Sequence, residues 1–183
     1  DLVDAAKANP EKIKMGTNGL MTATHMGVLV IEKAAGVKFA AVHFNGSSEN
    51  SAALLGGHTD AGVVVASGIV GAIKSGQIRL VGVLGTEGWS AFPDVKTLKD
   101  QGYDAVFVRS LGLDAPAGTS PEIIARVDAA VKKTLSSQEF QKKAEEANML
   151  LKYMDSKNYS AHWDQSEAKM KAMIGELKAQ AAK

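Results

Sequence analysis

Apolar positions follow two rhythms along the first hundred residues, and the rhythm changes repeatedly from one to the other. Residues 1–9 place Leu2, Val3, Ala5 and Ala6 at helical spacing ahead of Pro10, which predicts a short helix that the proline stops. Residues 12–15 alternate polar and apolar and predict a strand, which runs into the small polar turn Gly16-Thr17-Asn18-Gly19. Residues 22–35 carry Met26, Leu29 and Val30 at helical spacing, with Gly36 as the stop. The unit then recurs: a β-rich run over 38–44, the turn Asn45-Gly46-Ser47-Ser48, a helix through Ala52–Leu55, and Gly56-Gly57 as breaker. Residues 60–65 predict a further strand, 67–74 a short helix, 78–84 a buried strand, 95–101 a helix, and 105–113 a last strand. Uninterrupted Val, Ile and Leu runs, rather than alternating ones, belong to strands covered on both faces, as in a parallel sheet between helices.

The last third is helical. Ser120-Pro121-Glu122 sets an N-cap before a proline in the first turn, and Ile123, Val127, Val131 and Leu135 then share a face. Ser136-x-x-Glu139 has the form of a capping box for a second helix through Phe140 and Ala144. A final helix over about 156–180 carries Tyr159, Trp163, Met170, Ile174 and Leu177, a stripe that reads as core. Alternating β and α units followed by helices define an α/β fold.

Composition narrows the function. The chain has 183 residues, 45% hydrophobic and 22% charged, enough apolar content for a packed core without covalent staples. Its 21 basic and 20 acidic residues nearly cancel, which gives no footing for nucleic acid. With no cysteine there is no thiol nucleophile, disulfide or Cys-based zinc site. The uncharged stretch 61–73 falls well short of the roughly 20 residues a membrane-crossing helix needs.

Catalytic patterns are missing. The histidines His25, His43, His58 and His162 form no zinc-binding pair; His58-Thr59-Asp60 offers two ligands and no third. There is no G-x-S-x-G elbow, no phosphate-binding glycine loop with its lysine, and no dinucleotide fingerprint, so no metal or cofactor is expected. Two turns remain. Gly16–Gly19 with Thr22 and Thr24, and Asn45–Ser48, both lie at the carboxyl end of a predicted strand and open a helix. In open α/β sheets that edge is where ligands bind. Helix N-termini there offer unpaired N–H groups and partial positive charge, which suits a carboxylate without arginine. The same residue types also serve as simple caps and turn formers.

These residues carry a resemblance to a known family. Lys7-Ala8-Asn9-Pro10 followed by Met15-Gly16-Thr17-Asn18-Gly19, then Leu54-Leu55-Gly56-Gly57-His58-Thr59-Asp60-Ala61-Gly62, resemble two landmarks of the periplasmic solute-binding receptors of tripartite tricarboxylate transporters, the TctC or Bug receptors. Ile73-Lys74-Ser75-Gly76-Gln77-Ile78-Arg79-Leu80-Val81-Gly82-Val83 is similar to a third. Phe92-Pro93-Asp94-Val95-Lys96-Thr97-Leu98-Lys99-Asp100-Gln101-Gly102-Tyr103 and Ala115-Pro116-Ala117-Gly118-Thr119-Ser120 follow in the family's order.

The resemblance implies a type II periplasmic-binding fold of two lobes and a periplasmic receptor with no enzymatic activity. Its ligand would be a small di- or tricarboxylate, citrate-like, delivered to the membrane components of a tripartite tricarboxylate transporter. Ligand contacts carried over by position are Thr17, Asn18, Gly19 and Thr22, then Gly46, Ser47 and Ser48, with Ser67 after the third strand. Residues 1–108 correspond to one complete ligand-binding lobe, and 109–183 to the returning, largely helical part of the other. The first strands of that second lobe are expected to lie outside this chain, whose exposed apolar helices would then be covered by domain exchange with a second copy. Two departures stand out: His43-Phe44 replaces the family's Pro-Tyr, and Ser110, preceded by Arg109, stands where the family's crossing strand carries a Trp. Competing readings are an α/β enzyme using Asp60 or His58, and a regulatory or structural module on the same fold.

Overall fold

A computed structural model describes residues 1–65 and 68–181. It separates into two compact units, 1–110 and 111–183. The first unit opens with the expected short helix, α1 (Leu2–Ala8), where Asp1 and Asp4 close a capping box. Strand β1 (Lys14–Thr17) follows, then α2 (Ala23–Ala35), β2 (Ala40–His43), α3 (Ser47–Leu55), β3 (Ala61–Gly62) and α4 (Val70–Lys74). Helix α2 ends where the sequence says it should: Gly36 takes the left-handed conformation at φ 64°, and its N–H reaches the Glu32 carbonyl.

The strands form a parallel sheet in the order β2-β1-β3. Lys14 pairs with Ala40 through to Thr17 with His43 on one side of β1, and Met15 and Gly16 pair with Ala61 and Gly62 on the other. Helices packed on this sheet bury Ala6, Met15, Val28, Ala35, Val37 and Phe39 as one core, with Leu2, Val3, Ile13, Ile31 and Tyr103 at its margin. The central strand starts two residues later than its alternation predicts, so Gly16 and Thr17 belong to β1 and not to the turn. Burying one face of β1 against α2 and the other against α3 makes Met15, Gly16 and Thr17 the strand's covered positions.

Three predicted elements do not form. Residues 78–84 run extended without a ladder, because β3 offers only two paired residues and Val83 instead bridges Thr97. Residues 95–101 are turns: the Thr97 hydroxyl accepts the Asp100 N–H at 3.0 Å and donates to its carboxylate at 2.7 Å, a local bond that competes with helix. Residues 105–113 lack strand pairing, although the Phe107 N–H reaches the Leu84 carbonyl at 2.8 Å. The predicted strand over 60–65 shrinks to β3, and the predicted helix over 67–74 is described from Val70.

The second unit contains α5 (Pro121–Leu135), α6 (Gln138–Glu146) and α7 (Ser156–Ala181). Ser120 caps α5 by accepting the Ile123 N–H, with Pro121 in the first turn. The cap of α6 is Ser137, not Ser136: Ser137 Oγ accepts from Phe140 N, while Ser136 closes α5 as its last cap. Tyr153 bonds Asp128 at 3.0 Å under the Lys132 ammonium, fixing the segment before α7 to α5. The apolar stripes expected to be core are only partly covered: Ile123 and Trp163 are 55% and 54% exposed, while Val131, Leu135, Met170 and Ile174 are half-buried. Tyr159, on the same stripe, is half-buried, its ring against the Gly112 backbone. No described helix is long and apolar enough to cross a membrane.

Candidate functional site

Both predicted turns sit at the carboxyl edge of the sheet, after β1 and after β2, and the structure ties them to each other. Asn18, the first residue beyond β1, is the centre of that tie. Its Nδ2 donates to Ser47 Oγ at 3.0 Å, across to the start of α3. Its Oδ1 accepts from Asn50 Nδ2 at 2.9 Å, and its N–H reaches Thr24 Oγ1 at 2.8 Å. Asn50, wholly buried in α3, also donates to the Val63 carbonyl at 3.1 Å and so anchors the network to the segment after β3. Gly16 makes this possible, because a Cβ there would fall on Asn50 Oδ1.

Hydrogen accounting separates residues that can offer a donor from those that cannot. The Thr22 hydroxyl donates to the Gly19 carbonyl at 2.7 Å, which consumes its only proton. Thr24 lies 3.0 Å from Thr22 Oγ1 and, with Thr22 so committed, is the donor of that pair. Thr17 is fully buried, its Oγ1 2.7 Å from His43 Nδ1, so its side chain positions a neighbour and does not face solvent. Ser47 is different: its oxygen accepts from Asn18, leaving its own hydrogen free to point outward. Ser48 is exposed beside it.

Backbone groups complete the arrangement. Gly19 adopts φ 138°, a backbone conformation that a side chain strains, and a Cβ there would also crowd Thr22 Cγ2 at 3.1 Å. Gly46 at φ 140° is the N-cap of α3, and Thr22 is the N-cap of α2. The first N–H groups of each helix have no intrahelical acceptor and point out of the sheet edge. One acid is close: Glu49, in the first turn of α3, accepts the Asn45 N–H at 3.0 Å. Ser67 lies outside the described residues.

Sequence reasoning missed Asn50 and the pairing of His25 with His43. A faint signal existed for Asn50, a poor helix former spaced three residues before Ala53 on the only buried face of α3. His25 and His43 meet edge-to-face with ring centres 4.5 Å apart, and Met21 N–H donates to His25 Nδ1 at 3.1 Å. Burial, then the neighbouring His43, holds the His25 pKa below its ordinary value, with Glu32 opposing. Asp60 is occupied elsewhere: its carboxylate accepts the Lys14 N–H at 2.8 Å and its N–H donates to the Lys14 carbonyl, at the amino end of β1.

The parallel sheet thus brings two adjoining strand-to-helix turns, each at a helix N-terminus, together at one edge. The chain matches the tripartite tricarboxylate transporter family receptor (TctC) over residues 1–179 and belongs to that family, one of solute-binding receptors rather than enzymes. Among curated proteins it is 33% identical over 172 residues to the "UPF0065 protein in gbd 5'region" of Cupriavidus necator, covering 94% of this chain and 52% of that protein. Among solved structures it is similar to a TctC solute binding protein from Polaromonas, with 27% identity and a TM-score of 0.82 over 96% of this chain and 60% of that one. It shares the fold of a Rhodopseudomonas palustris protein solved with adipate, at 20% identity and a TM-score of 0.80 over 95% and 58% of the two chains. The chain thus spans about half to three-fifths of the length of these relatives.

Proposed function

We propose that this chain carries the ligand-binding lobe of a periplasmic receptor for a small di- or tricarboxylate, which the whole receptor hands to the membrane components of a tripartite tricarboxylate transporter. The observation that carries the reading is the Asn18–Ser47 bond, which ties the turns before two helix N-termini together at one edge of the sheet. In this reading residues 1–108 are that lobe and 109–183 return to the other. The ligand carboxylate takes the Ser47 and Ser48 hydroxyls and the N–H groups around Gly19 and Gly46, while Thr17, Asn18 and Thr22 hold those donors in place. Ser67 remains a proposed contact on the sequence alone. A solved relative with adipate and another with bound malate support the ligand class. Closure of the two lobes on the ligand then shifts an open–closed population. Exchange of the 111–183 region between two copies is the proposed cover for the exposed Leu111, Leu113 and Leu150, read by light scattering.

Calorimetry with malate, adipate and citrate tests the site. A donor to a charged acceptor contributes about 1.5–3 kcal/mol, so the Asn18→Ala/Ser47→Ala double variant loses at least about tenfold in affinity. Unchanged affinity in that variant refutes the assignment. The enzyme alternative is disfavoured by Asp60, whose carboxylate is bound to backbone at the opposite end of β1.

A further inference from the structure

We propose that His43 is the specificity-determining cation of this site: it takes up a proton when a dicarboxylate binds, with Thr17 as the hydroxyl that accommodates both charge states. The inference rests on the receptor reading above. His43 ends β2 on the same edge as the Asn18–Ser47 bond, its ring is exposed, and its Nε2 has no partner among the described residues.

The two rings of the His25–His43 pair are not equivalent. His25 Nδ1 accepts the Met21 N–H, so a proton on that nitrogen would set donor against donor. His25 is therefore held neutral, with its hydrogen on Nε2. His43 has a partner that works both ways. With His43 neutral, Thr17 donates to Nδ1. With His43 protonated, Nδ1–H donates to Thr17 Oγ1, and the hydroxyl turns its hydrogen to the carbonyl of Gly19 at 3.4 Å or of Val42 at 3.5 Å. The buried threonine thus leaves the imidazolium hydrogen-bonded, and the neutral His25 ring faces it edge-on without a competing charge.

Charge accounting gives the role. Two helix N-termini supply about half a positive charge each, enough for one carboxylate. A dicarboxylate brings a second negative charge to an edge that already holds Glu49. The other acid near the pair, Glu32, is buried and committed to Lys38 at 3.0 Å and to the Phe39 N–H at 2.8 Å. Strand β1 contributes Thr17 here, and its titratable Lys14 lies at the other end. The imidazolium of His43, on this edge of the sheet, then balances the second carboxylate.

The test is calorimetry of malate and of a monocarboxylate (propionate) on the full chain at pH 6 and pH 8, in buffers of different ionisation enthalpy. Malate is expected to bind about tenfold tighter at pH 6, with net proton uptake. Propionate is expected to show neither effect. In His43→Gln both the proton uptake and the pH dependence vanish, and the preference for malate over propionate falls by a similar factor. Thr17→Val leaves Nδ1 without its two-way partner and reduces the proton uptake even where the fold, read by circular dichroism, is intact. Malate binding with the same proton balance in the parent and His43→Gln overturns this inference and leaves the receptor reading standing. No binding of malate, adipate or citrate at either pH overturns both.

Discussion

Replacing Gly16 with alanine places a methyl group where Asn50 Oδ1 now sits, with Asn50 Cγ and Thr59 Oγ1 each 3.4 Å from it. The backbone of Gly16 is ordinary paired strand, so alanine fits the chain itself and gains about 0.7 kcal/mol from a less mobile unfolded state. Against that, forcing a side chain into a filled site costs about 1–3 kcal/mol. Asn50 must move, and its two bonds, to Asn18 Oδ1 and to the Val63 carbonyl, contribute about 1 kcal/mol each. The net expectation is a loss of about 3 kcal/mol from the 1–110 unit. Urea unfolding in a Trp163→Phe background isolates that unit, since Trp89 is then its reporter. Asn50→Ala removes the obstruction, so the double variant should be at least about 1 kcal/mol more stable than the two single losses added together. Strict additivity, or a Gly16→Ala protein as stable as its parent, would refute the packing argument.

The same fluorescence assay checks the histidine pair in the unliganded protein. Because the folded state lowers the His25 pKa, the unfolded chain takes up the proton first, so stability present above the ordinary value of 6.5 is lost as pH falls through the folded value. His25→Gln should flatten that slope, and a parent protein equally stable at pH 5.5 and 7.5 would contradict it. In the second unit, Ser137→Ala should cost about 1 kcal/mol as a lost N-cap while Ser136→Ala stays near neutral; the reverse order, by thermal unfolding, would restore the sequence-based cap.

The two serines show how far sequence reading reaches. Ser136 has Glu139 in the capping-box position and Ser137 has Phe140 there, yet the backbone at φ −74° and ψ 139° selects Ser137. Where one candidate stood alone, as with Ser120 before Pro121, the reading and the structure agree. The site behaves alike. Its two turns were legible because glycine, threonine and serine cluster where β rhythm gives way to α rhythm. Asn50 was not, because an asparagine inside a helix looks like an exposed polar residue until its partners are known.

Local chemistry along the chain therefore determined most helix ends, the α/β alternation and the two turns at the carboxyl edge of the sheet. Gly36, Ser120 and Pro121 act on neighbours within a turn of themselves, and no distant contact is needed to read them. Strand extent was decided by tertiary structure, since a parallel strand lasts only as long as its partner: 78–84 has the residues of a strand and pairs only through the single Val83–Thr97 bridge. The same holds for the donors of the site. Thr17 and His43 stand 26 residues apart and Asn18 and Asn50 stand 32 apart. Whether each hydroxyl or amide is spent inside the protein or left for a ligand depends on those long-range bonds, which residue types and spacing do not encode.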